Sequence, residues 1–496
     1  MNFIKVFLWG KEIGRLAWDA RKNISYFIFN PDLADETPDI APLIAPKAFR
    51  KSLKPIYGDP RGIYHKLPPF LADSLPDYWG SILFEKWIEE QKLPRNLVTP
   101  LYRLTFMGNR GMGAFEFEPC AEELNKFSHV DIQSLYSLSK KIVEEREASA
   151  IHPGEDITMQ SLLQVGTSAG GRQRKAIIAI HKEMGEIRSG QIGGLEDYDY
   201  FILKFGDEKI SLSEIEMAYY EMAIDAGIEM ESSRLLTVDG INHFLTKRFD
   251  RKEGKKILMQ TLAAINPDAL SYEDLFATGR TLDLTEKEIH QLYRRLVFNV
   301  LANNTDDHIK NFSFLLEEGG RWRLSPAYDI TFIFNPTATG ANLEHVFSLE
   351  GKILDITRLD LINFARKTGI RNPESIIDEV AAVVSRFPEY AEKNGVRQPY
   401  RSIIQKRLED ILIEFGYRDK PTAETFSDID GKKISDFRIS INTKGFFEIS
   451  VKIDGKRQRR FVKPTMPQYE EIQKSDIYNL SQEEKQALIT ALFLRS

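Results

Sequence analysis

The stretch "ANNTDDHIKNFSFLL", residues 302–316, sets Asp306, Asp307, His308, Lys310 and Asn311 between apolar flanks. Alone, such a run reads as a solvated turn, but its spacing offers more. Asp306 stands five residues before Asn311, the D-x-x-x-x-N separation at which a carboxylate base precedes an amide metal ligand in phosphoryl-transfer loops. Asp307 stands four before it and does not fit. Downstream, "RWRLSPAYDITF" places Asp329 just beyond a predicted strand end, a second hard oxygen ligand for a divalent cation. Upstream, Lys204 interrupts the apolar strand "YFILKF", where an unpaired ammonium is costly to bury, so an acidic partner is expected. Glu216 on the next helix is the assigned partner, with Glu214 and Glu221 close by in sequence. Farther upstream, "GTSAGGRQRK" nearly has Walker spacing, but Arg172 and Gln173 stand where Lys and Ser/Thr are required. It is not that P-loop. Gly166, Gly170 and Gly171 still let backbone approach a phosphate, and Arg172, Arg174 and Lys175 add positive charge; a plain turn is the alternative.

A glycine-rich turn, a strand lysine, a helix glutamate, D-x-x-x-x-N and a later aspartate follow one another in the order that protein kinases use. Two features depart from that pattern: Asp329 opens Asp-Ile-Thr rather than D-F-G, and His308 follows the aspartate instead of preceding it. Asp307 is expected to be a turn carboxylate capping backbone N–H groups, with a second metal role as the alternative. His308 is expected to pack and hydrogen-bond, and Lys310 either assists the phosphate or is solvated.

"NNTDDHIKNFSFLL", "LSPAYDIT", "VGTSAGGRQRKAII", "KRFDR" and the opening "LWGKEIGRL" resemble the signatures of the HipA-type toxin kinases, over roughly residues 3–417. The resemblance implies an α+β, two-lobed protein-kinase-like fold, with an α/β N-lobe carrying a small N-terminal β subdomain and a mainly helical C-lobe. It implies Asp306 as catalytic base, Asn311 and Asp329 as Mg2+ ligands, and Lys204 as the ATP lysine. Lys247 and Phe249 take the hinge positions, where backbone meets adenine. Thr167 and Ser168 both fall at or beside the position where the family's glycine-rich loop is autophosphorylated, and phosphate added there would expel the loop by like-charge repulsion. Family members phosphorylate protein Ser/Thr hydroxyls, some on aminoacyl-tRNA synthetases, and are neutralised by a DNA-binding HipB-type antitoxin. Other readings of the same residues are a pseudokinase-like subunit of a DNA-bound complex and a kinase for a small molecule.

These residues need elements to hold them. "IKVFLWG", "EIGRLAWD" and "NISYFIFN" alternate as strands, and the Pro- and Gly-rich stretch that follows, to about residue 115, suggests irregular packing. "VDIQSLYSLSKKIVEEREAS" has helical periodicity. Ser211 and Glu214 have capping-box spacing ahead of the helix carrying Glu216, and "LLTVDGINHFLTKRFDR" predicts a hairpin turning at Asp-Gly. "LTEKEIHQLYRRLVFNVLANN" is a strong helix running into the opening segment, and 353–417 read as helices. The expected divisions are 1–115 for the N-terminal subdomain, 116–280 for the N-lobe core, 281–418 for the C-lobe and 419–496 for a basic β-rich extension.

That extension has no counterpart in the short members of the family. Between Lys432 and Lys463 it carries ten Lys or Arg against three acids, although the 496-residue chain has a net charge of −6. It suggests a solvated face, a docking module, a built-in regulator or a DNA-contacting arm. The near balance of charge elsewhere argues against a protein built globally to coat nucleic acid. Cys120 is the single cysteine, which excludes an intramolecular disulfide and fits a reducing compartment. With no signal-peptide core at the N-terminus and no apolar run of about 20 residues, the expectation is a cytoplasmic protein without a membrane partner.

Overall fold

The computed structural model describes residues 3–494 apart from 34, 36, 77, 96–97, 125–129, 148–172, 192–195, 337–338, 419–424, 430–431, 442–446, 464, 467, 470–471 and 473–479. The chain divides into two compact units. The first comprises Met1–Glu208, Glu229–Ile289 and His308–Tyr328, the second Lys209–Ile228, His290–Asp307 and Asp329–Ser496.

In the first unit the alternating N-terminal stretches become β1 (Phe3–Leu8), β2 (Lys11–Asp19) and β3 (Ile24–Phe29), which bury Ile4, Val6, Leu16 and Phe27 on one face. With β4 (Ile56–Tyr57) and β5 (Phe115–Glu118) they make an antiparallel sheet in the order β4-β3-β2-β1-β5. A second antiparallel sheet joins β6 (Lys175–His181), β7 (Ile187–Ser189), β8 (Tyr198–Lys204), β9 (Ser233–Val238) and β10 (Ile241–Lys247) in the order β7-β6-β8-β10-β9. The predicted Asp-Gly hairpin is β9–β10. Asp239 and Gly240 both take positive φ, 47° and 78°, the primed turn that matches strand twist. The small hairpin β11 (Arg251–Lys252) and β12 (Lys255–Lys256) follows, then a sheet of β13 (Leu258–Thr261), β14 (Ser313–Leu316) and β15 (Trp322–Leu324).

The stretch expected to pack irregularly instead carries the helices Pro69–Ala72, Tyr78–Glu90 and Pro100–Met107. Pro69 and Pro100 sit in the first turn, where a missing N–H removes no hydrogen bond, so these prolines start helices rather than break them. Trp79, Leu83, Phe84, Trp87 and Phe106 from this region pack with Ala176, Ile178, Leu203 and Leu245 of the second sheet. The Trp79 indole N–H donates to the Lys175 carbonyl at 3.0 Å, so a large apolar ring is buried with its polar atom satisfied.

In the second unit the helix Leu212–Asp225 packs against Phe387–Lys393. Tyr219 lies at their centre, its ring 6.2–6.4 Å from those of Phe298, Phe332 and Phe387. The expected capping box at Ser211 does not form. The Ser211 hydroxyl accepts from Arg397 N and Nε at 3.2 and 2.9 Å, so a tertiary contact has taken the side chain that local spacing reserved for the helix. The predicted helices Glu286–Leu301, Arg358–Thr368, Pro373–Val384 and Tyr400–Glu414 are present. In the tail, β16 (Thr425–Ile429), β17 (Lys432–Ile441), β18 (Phe447–Ile453) and β19 (Lys456–Val462) pair in sequence order, followed by the helix Gln482–Ile489.

Candidate active site

The segment around Asp306 begins where Glu286–Leu301 ends. Asn303 takes a left-handed backbone, φ 52°, which Asn tolerates better than most residues. Its amide donates to the Asn342 carbonyl at 2.9 Å and accepts from Arg407 Nε at 2.8 Å. Asn304 donates to Asn299 Oδ1 at 2.8 Å, and Tyr219 donates to the Ala302 carbonyl at 2.7 Å. The entrance to the loop is therefore tied down by the surrounding helices of its own unit.

The two adjacent carboxylates then part company. Asp307 is 1% exposed and its carboxylate accepts the Val346 and Phe347 N–H groups at 2.8 and 3.3 Å, with His345 Nδ1 at 2.8 Å. Asp306 is exposed. The capping role expected for Asp307 is present, but the capped groups lie some forty residues on rather than in the same turn. His345 had no local signal: nothing in the spacing from residue 307 to 345 marks the pair.

Beyond Asp307 the chain is held within the first unit. The His308 ring accepts the Lys310 N–H at 3.2 Å, and its carbonyl accepts the Asn311 N–H at 2.9 Å. Leu262 and Ala263 donate to the Phe312 and Ile309 carbonyls at 2.7 and 3.1 Å. Tyr328 donates to the Lys310 carbonyl at 2.7 Å, is hydrogen-bonded to Ser313, and faces the ring of Phe249 at 5.7 Å. Tyr328 belongs to the S-P-x-Y-D motif, whose spacing gives it no role; it ties Phe249 to the Asn311 loop. Asn311 is half-buried. Asp329, also half-buried, has a left-handed backbone with φ 55°, strained for any residue but Gly, Asn or Asp.

Lys204 is the last residue of β8, not its middle, and is buried with its Nζ 5.8 Å from the Phe244 ring centre. Gly206, two residues on, donates its N–H to His243 Nδ1 at 3.0 Å. His243 is fully buried between Tyr136 and Phe205, and burial, with Arg174 nearby, lowers its pKa to about 4. Among the candidate glutamates of the helix Leu212–Asp225, Glu221 is bound to Lys393 and Asn394, each at 3.0 Å, while Glu214 and Glu216 are both buried.

Lys247 pairs with Asp199 at 2.9 Å and donates its N–H to the Ser232 carbonyl. Between Lys247 and Phe249, Arg248 turns inward. It chelates Asp250 with two bonds of 2.8 Å, and Asp250 also receives Arg251 and the Gly113 N–H at 2.8 and 2.7 Å. Burial would raise the Asp250 pKa, but the two guanidinia and these hydrogen bonds outweigh it and hold the group well below the usual carboxylate range. Lys247 and Phe249 line a cavity of about 650 Å³ in this unit, together with Tyr198, Tyr200 and Glu231. Neither Lys204 nor Asn311 lines it. Lys204, Lys247, Phe249 and Asn311 thus belong to the first unit and Glu216, Asp306 and Asp329 to the second. Gly166, Thr167, Ser168, Gly170 and Gly171 lie outside the described residues.

Sheets and helices in this arrangement define an α+β, two-lobed kinase-like fold, shared with a solved structure. That structure is the Shewanella oneidensis MR-1 HipA of a toxin–antitoxin complex with HipB and its operator DNA, superposable at a TM-score of 0.57 with 16% identity, over 84% of this chain and 100% of that one. Two family models match successive stretches, the HipA N-terminal domain over residues 4–118 and the HipA-like C-terminal domain over 167–387, and the chain belongs to the HipA family. A Haemophilus influenzae protein named "Putative kinase" is 27% identical over 292 residues, 52% of this chain and 76% of its own length. Another from Sinorhizobium fredii, "Putative kinase Y4dM", is 25% identical over 210 residues, 38% of this chain and half of its own length. Among the described residues no helix is long and apolar enough to cross a membrane.

Proposed function

We propose that this chain is an ATP- and Mg2+-dependent protein serine/threonine kinase of the HipA type. The observation that carries the reading is the split fate of the adjacent carboxylates: Asp307 is consumed in holding the loop, and Asp306 is left facing solvent. A base for a substrate hydroxyl has to be reachable, and it has to sit on a loop that does not move. Asp306 orients that hydroxyl and accepts its proton. Asn311 and Asp329 offer hard oxygens, one amide and one carboxylate. Among the described residues no cluster of three or more His, Cys, Asp or Glu could cage an ion by itself. Such a sparse donor set suits Mg2+, which keeps waters and shares phosphate oxygens. When bound, ATP with Mg2+ supplies the transferable phosphoryl group and the charge that neutralises it. Lys204 holds the phosphates, oriented by Glu216, and backbone at Lys247 and Phe249 receives adenine. Gly166, Gly170 and Gly171 let the loop close over the phosphates, with Thr167 or Ser168 as the hydroxyl that the enzyme modifies on itself.

By the same reading, 1–115, 116–280 and 281–418 are the subdomain, N-lobe and C-lobe of the kinase. A HipB-like antitoxin is the expected regulator, as in the complex of the Shewanella protein, and an aminoacyl-tRNA synthetase the substrate suggested by family resemblance.

The test is labelling by γ-labelled ATP with the phosphosites mapped by mass spectrometry, comparing wild type with Asp306→Asn. Label on the wild type alone, in the glycine-rich loop and on a protein substrate, is the expected result. Undiminished labelling of the variant would sink the assignment.

A further inference from the structure

The basic excess in the tail is concentrated on one hairpin. β18 and β19 pair with Lys452 opposite Arg457, Ser450 opposite Arg459 and Glu448 opposite Phe461. Because side chains alternate, those six residues share one face. The other face carries Phe447, Ile449, Val451, Ile453 and Val462, which pack with Leu488 and Ile489 of the tail's helix. The tail's core is therefore on one side with Arg460, whose guanidinium lies over the Phe493 ring at 5.5 Å, and Arg457 and Arg459 are on the other.

β19 is also the edge of its sheet, and five of residues 456–463 are Lys or Arg. Charge on an edge strand guards against strand pairing, but a residue or two suffices for that. Phe461 points the other way: the phenyl is 47% exposed, on the face of Arg457 and Arg459, where a guarded edge would place a polar group. The Arg459 side chain, 64% exposed, spans 3.3 Å to Glu448 and stays open to a second anion. Arg457 donates to the Ser450 hydroxyl on the neighbouring strand at 3.1 Å.

We propose that this face binds single-stranded nucleic acid, with Lys452, Arg457 and Arg459 along the phosphates and Phe461 stacked on an unpaired base. Polyanion binding follows from the charge; the strandedness follows from the ring. Bases in a duplex are stacked on each other and offer no free face, whereas each unpaired base does. An acidic protein would satisfy the charges and leave the ring without a repeating partner. Residues 388–496 lie beyond both matched family stretches, so the surface is additional to the family's own domains.

The experiment measures fluorescence anisotropy of a labelled oligothymidylate about 20 nucleotides long, long enough for one or two site sizes of such a surface. The intact protein is titrated between about 50 and 200 mM salt. Saturable binding is expected, weakening with salt. Phe461→Ala should lose roughly 5- to 150-fold in affinity with the salt slope unchanged. Arg459→Ala should lower the slope by about 0.7, one phosphate contact on a single strand. Asp306→Ala should bind as the wild type, which separates this surface from the kinase reading. Both tail variants change solvent-facing side chains, and their melting curves should match the parent. Absent binding, a Phe461→Ala protein that binds as tightly as wild type, a duplex bound as tightly as the single strand, or polyglutamate bound equally at matched charge would each overturn the proposal.

Discussion

Neighbouring acids in one loop have opposite surroundings, and the two should respond differently to substitution. Asp306→Asn is expected to abolish phosphotransfer while costing less stability than the change at its neighbour, because it removes only the charge of an exposed, isosteric side chain. Asp307→Ala should cost about 2–4 kcal/mol, since it strips the acceptor from two backbone N–H groups and the partner from His345. Chemical denaturation of both variants beside a labelling assay checks the pair. His243 supplies a pH test. Its folded pKa of about 4 lies below the ordinary 6.5, so the unfolded chain binds the extra proton in that window. Stability is complete above about 6.5 and is lost as pH falls towards 4, by up to about 3 kcal/mol. His243→Asn, which keeps an acceptor for Gly206, should flatten that acid limb in denaturation midpoints. Spacing to Asn311 marks Asp306 rather than Asp307 as the candidate base, and Asp306 is the exposed member of the pair. Spacing was silent on His345 and His243, whose roles arise from residues distant in the chain.

Elements with a strong period were legible: the N-terminal strands, the Asp-Gly hairpin and the helix leading into the loop all appear where their patterns place them. Two local expectations gave way to contacts distant in the chain, the first helped by prolines that sit where a helix starts. Proline composition alone does not reveal the helices Tyr78–Glu90 and Pro100–Met107, where burial of Trp79 and Phe106 against the second sheet outweighs a weak propensity. Capping at Ser211 lost to Arg397. In both cases a distant contact decided. The motif "KRFDR" shows the same dependence, because its Asp250 and Arg251 bind the loop at Gly111–Gly113. Asp250→Asn leaves two buried guanidinia without their counter-charge and should cost about 3–5 kcal/mol, read as a drop in melting temperature. Gly113→Ala should destabilise as well, since φ is 76° and an added Cβ meets the Met259 backbone at 3.0 Å.

For the molecule as a whole, the tail is the part that can be removed. Among the described residues its strands pair only with one another, and its apolar clusters draw on residues between Ile434 and Leu494. A chain ending at 418 is expected to fold, to label itself with phosphate as the full chain does, and to lose oligonucleotide binding. A truncated chain that aggregates or is inactive would show that the tail supports the kinase instead. Fold class and family were legible because their motifs are local and ordered along the chain. The sheet face of the tail was not, since ten basic residues in a row of text do not say which share a side. One last feature reaches into heredity. The left-handed backbone at Asp329 tolerates little besides Gly, Asn and Asp. Codons for Gly and Asn each differ from those for Asp by a single base, so the gene can discard this carboxylate without disturbing the fold around it. On the proposed reading of Asp329 as a metal ligand, silenced alleles should gather at this codon wherever activity burdens the host, and they should still encode a folded chain.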